Sequence, residues 1–192
     1  MDFWRNSVAF YLDGVGFSHK SNPAAHARTL RTRSWRKANE GLKRTCLAKG
    51  KKEGVGGRMA NFMVAFAYGK GVIGCHHYEG HWTGETFGDY VKKEFPKLFE
   101  KGNSRNGKLF LQDGDPRQNA RAAVKVMNEI DCNVFSIPAR SPDLNPIENL
   151  FHRIRKQVNK DSLSKIIEKE PYEQFCRRIE NALYNFLSLI HI

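Results

Sequence analysis

The stretch Ser-Pro-Asp-Leu-Asn-Pro-Ile-Glu-Asn-Leu at residues 141–150 leads from a proline-punctuated loop into an amphipathic segment. From Pro146 to about Asn159, apolar residues recur at intervals of three and four, which predicts a helix with one buried face. Upstream, Lys-Leu-Phe-Leu-Gln at 108–112 is short and apolar and runs into Asp-Gly-Asp-Pro at 113–116. This pattern is typical of a buried strand that ends in a turn. Both segments place acidic side chains at the boundaries of regular elements.

The segments around these two predict an α/β domain. Further strands are predicted at 7–12, 61–68, 72–78 and 133–137, with helices at 86–99, behind an N-cap at Thr83, and from about Gln118. The second of these helices is expected to bury Ala120, Ala123, Val124, Met127 and Ile130. Three strands and a helix, followed by alternating strands and helices, predict a mixed sheet of five strands flanked by helices.

The size and composition of the chain fit one globular domain. It has 192 residues, 40% of them hydrophobic and 27% charged, which is enough to form a packed core. No apolar run approaches the roughly 18 to 20 residues that a membrane span needs, and no apolar segment follows a basic start near Met1. We therefore expect a soluble, intracellular protein that is neither secreted nor bound to a membrane.

Positive charge is concentrated in one part of the chain. The sequence has 32 Lys and Arg against 20 Asp and Glu, a net charge of +12. Between His19 and Arg58, twelve basic residues and two acidic ones leave a local charge of +10. Such a segment is typical of an arm that binds nucleic acid, but it is also typical of a solvated loop that binds nothing. Within it, the candidate DNA contacts are Arg31, Arg33, Arg36 and Lys37.

The cysteines and histidines give little sign of a metal or disulfide framework. The four cysteines are widely separated and form no Cys-x-x-Cys pair, which predicts reduced thiols. His76, His77 and His81 stand near Cys75 and could in principle gather zinc. Adjacent histidines on a strand point to opposite faces, however, so the spacing disfavours a shared metal.

Three acidic residues lie where elements are predicted to begin or end, the positions where α/β folds carry reactive groups. Asp13 is expected to close the first strand, Asp113 closes the fourth, and Glu148 lies in the first turn of the last helix. Each residue also has a purely structural interpretation. Both aspartates fall in turn-forming sequence, and Asn145 with Glu148 fits a helix capping box.

The strings at 111–116 and 141–150, taken together, resemble the catalytic domain of mariner-superfamily transposases. Asp113 and Glu148 enclose 34 residues, a spacing familiar in that superfamily, whereas Asp115 would enclose 32. The resemblance covers most of the span from about Ser7 to Asn159 and implies a ribonuclease-H-like fold. It also implies that Asp13, Asp113 and Glu148 form the acidic triad of a DDE-type enzyme, both as catalytic residues and as metal ligands.

The resemblance implies metal-dependent DNA strand cleavage and strand transfer, with transposon ends and target DNA as partners and no small-molecule cofactor. Like charges held close together repel unless cations offset them, and carboxylate oxygens suit Mg²⁺ or Mn²⁺, here two ions. Arg117 and Arg140 flank the acidic motifs and are candidate phosphate contacts. His152, one turn after Glu148, is a candidate auxiliary residue. In a eukaryote such a protein would act in the nucleus, and a homodimer is left open.

Two departures from the family pattern keep other functions open. Gly14 follows Asp13 where the family usually has a second acid, and Gln118 stands where it commonly has a histidine. A catalytically inactive, transposon-derived DNA-binding fragment and a cellular nuclease of the same fold are therefore the alternatives. Only a dozen residues precede Asp13, so the helix-turn-helix module that resembling transposases carry is expected to be missing.

The expected domain organisation is one catalytic domain over 1–186 with a basic insertion at about 19–58. The last six residues, 187–192, also match the translation of a common tagmentation adapter, and we expect them to be an artefactual tail.

Overall fold

The computed structural model describes residues 7–20, 22–24, 27, 58–103, 107–137 and 144–186. In chain order its elements are β1 (Phe10–Ser18), β2 (Met59–Ala67), β3 (Gly71–Tyr78), α1 (Gly84–Lys101), β4 (Leu109–Gln112), α2 (Arg121–Glu129), β5 (Asn133–Ser136), α3 (Pro146–Ser164) and α4 (Tyr172–Tyr184). Most of the basic insertion and the whole of 187–192 lie outside the described residues. None of the helices in the described ranges has the length and apolar character of a transmembrane segment.

The strands form one mixed sheet in the order β3–β2–β1–β4–β5. The central strand β1 pairs antiparallel with β2 and parallel with β4, and Leu12 lies opposite Gln112 in the parallel pair. At the two edges, β3 pairs antiparallel with β2, and β5 pairs parallel with β4. The predicted mixed five-stranded sheet with flanking helices is confirmed.

Side-chain alternation along β1 divides the core into two layers. Tyr11, Val15 and Phe17 are buried in the cluster that holds the apolar faces of α3 and α4. Phe10 and Leu12 are buried on the opposite face, with the apolar residues of α1 and α2. The alternation therefore assigns Asp13, which lies two residues after Tyr11 and two before Val15, to the α3 side of the sheet.

β1 is longer than the sequence predicted. The strand was expected to end at Leu12, but it continues to Ser18, and Asp13 and Gly14 pair with Val64 and Met63 of β2. Asp13 therefore does not close the first strand; it lies in the middle of it. Aspartate and glycine are weak strand formers, and here the pairing of β1 along its length with β2 overrides that local preference.

The helices agree with the sequence in position but not in every detail. Thr83 caps α1 as predicted, because Thr83 and Thr86 exchange the hydrogen bonds of a capping box. α2 begins at Arg121 rather than Gln118, and Val124, which was expected to be buried, is 40% exposed. The buried positions of α2 are Ala123 and Met127, which occupy a narrower face than the prediction assumed.

The sequence analysis did not predict α4. This helix buries Phe175, Cys176, Ile179 and Leu183 against the same core cluster as α3. Their spacing of one, three and four residues is a helical signal, and Pro171 marks the start. The signal was therefore present in the sequence, although α4, with 13 residues, is shorter than α3, with 19.

Candidate active site

Asp13 is the most strongly perturbed acid of the site. Its Oδ1 accepts the backbone N–H of Gly14 at 2.7 Å, and its Oδ2 accepts Nδ2 of Asn145 at 3.1 Å. Burial raises the pKa of Asp13 to about 7, against the smaller lowering effect of the Gly14 hydrogen bond. The negative charges of Glu148, Asp113 and Asp115 raise it further. Asp13 therefore lies in a partly dry position among other carboxylates.

Asp113 reaches this position because of the strand register. β1 and β4 are parallel, with Leu12 opposite Gln112, so the next residues on the two chains, Asp13 and Asp113, are neighbours. Adjacent strands are about 4.8 Å apart, and the alternation assigns both aspartates to the α3 face of the sheet. Asp113 is exposed, and its Oδ1 accepts the N–H of Gly114 at 2.6 Å.

Glu148 comes to the same place because α3 packs against the sheet. Ile147 and Leu150 are buried in the core cluster that includes Tyr11, and Glu148 lies between them in the first turn. The Glu148 side chain is half-buried, and its backbone N–H donates to the carbonyl oxygen of Asn145 at 3.1 Å. Asp113, from the end of the neighbouring strand, and Glu148, from the start of a helix, thus lie near Asp13 of the central strand.

The capping box proposed for α3 as a purely structural interpretation is not formed. Asn145 is the N-cap residue, but its side chain makes no hydrogen bond to the helix N-terminus. Its amide nitrogen donates to Asp13 instead. Asn145 is only 1% exposed, and its Oδ1 has no hydrogen-bond partner among the described residues. Sequence reasoning treated Asn145 only as a cap and missed this contact, for which an asparagine before Pro146 gives no specific signal.

The donor chemistry fits a hard divalent cation. Asp13, Asp113 and Glu148 offer carboxylate oxygens. Asn145, which donates to Asp13, adds an amide oxygen, Oδ1, that has no hydrogen-bond partner among the described residues. Oxygen ligands of this kind suit Mg²⁺ and Mn²⁺. Within the described ranges, however, no three His, Cys, Asp or Glu side chains are already close enough to hold one ion together. The carboxylates interact electrostatically without forming a closed set of ligands.

Asp115 is engaged differently from Asp113. Its carboxylate accepts the Arg117 backbone N–H at 2.8 Å, Nε at 3.0 Å and Nη2 at 2.5 Å. These Arg117 hydrogen bonds hold the pKa of Asp115 below its usual value. Arg117, a predicted phosphate contact, therefore already has an anionic partner, although 47% of its side chain remains exposed.

A small cavity of about 110 Å³ opens beside Asp13. Its wall includes Tyr78, Trp82, Arg117 and Gln118. Gln118 is 2% exposed, and its Oε1 has no hydrogen-bond partner among the described residues. A cavity of this size and polarity can hold a few water molecules next to the acidic cluster.

The structure shows no contact between the acidic cluster and His152, His76 or His77 among the described residues. His152 is exposed on α3, and in the described part of the chain it makes no hydrogen bond, ion pair or ring contact. His76 packs against Trp82 and Tyr90, whereas His77 contacts Phe62 and Tyr172, so the adjacent histidines point to opposite faces of the sheet as strand alternation predicts. The remaining predicted DNA contacts, Arg31, Arg33, Arg36, Lys37 and Arg140, lie outside the described residues.

Comparison with known proteins gives a family match and several structural matches. A family model described as DDE superfamily endonuclease matches residues 9–169. Comparison with the curated proteins gave no match. Among solved structures, the catalytic domain of Mos1 mariner transposase is 15% identical, with a TM-score of 0.52, and the alignment covers 94% of this chain and 78% of that chain. This likeness confirms the ribonuclease-H-like fold.

Structures of the same transposase in complexes, in which its chain is longer, are also similar to this chain. The Mos1 paired-end complex with the left transposon end is 18% identical with a TM-score of 0.55. The Mos1 mariner paired-end complex with Mn is 17% identical with a TM-score of 0.56. Each alignment covers 97% of this chain and 54% of that chain, so the present chain spans about half the length of those proteins.

Proposed function

Since the chain belongs to the DDE superfamily of endonucleases, we propose that it is the catalytic domain of a DNA transposase that cleaves and joins DNA strands with divalent cations. The observation that carries the proposal is the position of Asp13. The negative charges of Asp113 and Glu148, which come from different elements, act on its half-buried carboxylate. Such a concentration of negative charge is costly in a fold and is usual where cations bind.

In the proposed site, Asp13, Asp113 and Glu148 would hold two Mg²⁺ or Mn²⁺ ions. When bound, ions of this kind activate an attacking oxygen and stabilise a leaving oxygen in phosphodiester displacement. The protein's own part is to keep Asp13 beside Asp113 through the strand register and to orient Asp13 through Asn145. Similar structures of Mos1 with Mn and with Mg support this choice of ions.

The proposed partner is DNA, as transposon ends and as target. The net charge of +12 favours a polyanion, and the similar solved structures include a Mos1 strand transfer complex. We assign the domain to 1–186 and propose phosphate contacts by Arg117, Arg140 and the basic insertion. Such an enzyme would act inside the cell, and in the nucleus if the source is eukaryotic.

A plasmid assay tests the proposed function. Purified protein with Mn²⁺ should convert supercoiled plasmid to nicked circles, and EDTA should abolish the conversion. Asp113→Asn should remove the activity, whereas Asp89→Asn, a matched change at an exposed aspartate of α1, should retain it. DNA binding without nicking in the unmodified protein would contradict the proposal and favour the inactive DNA-binding fragment.

A further inference from the structure

We infer that Asn145 is a positioning residue that ties Asp13 to Glu148 and presents a neutral oxygen to the cation site. The inference rests on the proposed function, because it concerns the same acids. It goes further by assigning a role to a side chain that is neither acidic nor basic. Three features of Asn145 carry it: its backbone conformation, its hydrogen bonds and its unpartnered oxygen atom.

The backbone of Asn145 is restricted by the residue that follows. A residue before proline is driven into the extended region, because the proline ring clashes with it in the helical region. Asn145 accordingly has φ −106° and ψ 98°, and Pro146 begins α3. The turn into the helix is therefore defined by sequence. An asparagine in this conformation commonly caps its own helix, but the side chain of Asn145 makes no such bond.

The hydrogen bonds of Asn145 join two of the three acids. Its Nδ2 donates to Oδ2 of Asp13 at 3.1 Å, across 132 residues of sequence. Its carbonyl oxygen accepts the N–H of Glu148 at 3.1 Å. Asn145 is 1% exposed, so its own donor and acceptor atoms in these two bonds are shielded from bulk water. A shift of Asn145 would therefore move Asp13 and Glu148 relative to each other.

The third feature is the amide oxygen. Oδ1 of Asn145 is buried and has no hydrogen-bond partner in the described part of the chain, an uncommon state for a polar atom in a folded protein. Asparagine oxygens are accepted ligands of hard divalent cations. Aspartate at this position could offer the oxygen, but it could not donate to Asp13 and would add another negative charge. Leucine has the same number of side-chain heavy atoms, branched at the same carbon, and would offer neither.

Metal affinity measured without DNA tests the inference. Mn²⁺ binding, followed by calorimetry, should weaken about 10-fold or more in Asn145→Leu, the usual effect of losing a group that orients metal ligands. Asn149→Leu is the matched control, because Asn149 is an exposed asparagine on the same helix, and its affinity should equal that of the unmodified protein. Circular dichroism verifies that both variants are folded.

A second measurement does not depend on a variant that folds. In unmodified protein labelled with ¹⁵N-asparagine, titration with Mg²⁺ should shift the side-chain amide signals of Asn145 and leave those of Asn149 in place. Mn²⁺ affinity in Asn145→Leu equal to that of the unmodified protein, or unmoved Asn145 signals at saturating Mg²⁺, would overturn the inference while leaving the proposed function standing. Unmodified protein that binds neither ion would overturn both.

Discussion

Asp13 and Asp113 are neighbours, because each directly follows one of the paired residues Leu12 and Gln112 of two parallel strands. This relationship depends on the strand order, in which β4 returns to lie beside β1 although 90 residues and two strands separate them in the chain. It brings two carboxylates together at the middle of the sheet. The start of α3 then adds Glu148 from above the same face.

The first prediction concerns stability and pH in the metal-free protein. The pKa of Asp13 is raised to about 7 in the fold, whereas an unfolded aspartate titrates near its ordinary value of 3.8. The folded state therefore binds the proton more tightly, and the stabilisation present at pH 4 is lost as the pH rises to 7. Asp13→Asn removes this penalty, which amounts to at most about 4 kcal/mol.

We expect Asp13→Asn to raise the free energy of unfolding at pH 8 and to raise it less at pH 5. Urea denaturation in EDTA at both pH values measures the difference. The asparagine oxygen can still accept the Gly14 N–H, so the variant should fold. A gain in stability that is the same at pH 5 and pH 8 would show that the Asp13 carboxyl is not perturbed as the structure indicates.

The second prediction separates Asp113 from Asp115. Arg117 occupies the Asp115 carboxylate with hydrogen bonds from three donors, whereas the hydrogen bond shown for Asp113 comes from its own neighbour, Gly114. Asp113→Asn should therefore lower metal-dependent nicking by about 100-fold or more, and Asp115→Asn by about 10-fold or less. Initial nicking rates of the two variants under identical conditions measure this. The reverse order of effects would assign the second acid of the triad to Asp115.

The sequence predicted most of the fold because its apolar patterns are strong. The apolar run of β2 and the helical period after Pro146 reflect packing on the sheet, and both elements overlap the segments where they were expected. The predicted end of β1 at Leu12 was wrong, because Asp13 and Gly14 are typical of a turn. These two residues belong to a strand because they pair with β2. The local sequence around them contains no information about that pairing.

The lack of long-range information in local sequence patterns also explains which contacts of the candidate site were not predicted. Strand order decides that Asp13 and Asp113 are adjacent, and the sequence reading reached their association only through family resemblance. The contact between Asn145 and Asp13 spans two elements, so no local pattern around Asn145 could indicate it. Local sequence also favoured a capping box that the structure does not form. Long-range polar contacts of this kind need the folded chain.

The third prediction tests how closely α1 packs against the turn that carries Asp115 and Arg117. A Cβ atom at Gly84 would lie 2.2 Å from Cβ of Ala120 and 3.6 Å from the Arg117 carbonyl oxygen. Gly84→Ala should therefore lower the free energy of unfolding by about 1–3 kcal/mol, the usual effect of overpacking. At Gly88 on the same helix, the nearest contact would be 3.4 Å from Val126.

Gly88→Ala is the matched control for that change. Its contacts are ordinary, and alanine favours helix over glycine by about 1 kcal/mol, so stability should be unchanged or slightly higher. Thermal denaturation of both variants measures the difference. Equal stability of Gly84→Ala and the unmodified protein would mean that the turn can move away from α1, and that it holds Asp115 and Arg117 less firmly than the structure indicates.

The last prediction concerns α4, the helix that the sequence reading missed. Arg178 donates Nε and Nη2 to the two carboxylate oxygens of Glu170 at 2.7 and 2.8 Å, and Nη1 donates to the Val158 carbonyl oxygen of α3 at 3.3 Å. The side chains are only 16% and 6% exposed, so removing the cation would leave the glutamate buried without its charged partner. Arg178→Ala should lower the free energy of unfolding by about 3–5 kcal/mol.

Arg178→Lys should recover only part of that loss, because lysine keeps the charge but cannot form the two parallel bonds of the guanidinium. Lys97→Ala breaks an exposed ion pair with Glu94 and should change the free energy of unfolding by less than about 1 kcal/mol. Urea denaturation of the three variants gives the comparison. Full stability in Arg178→Ala would mean that apolar contacts alone hold α4 against α3 and the sheet, and that the buried ion pair contributes nothing to that packing.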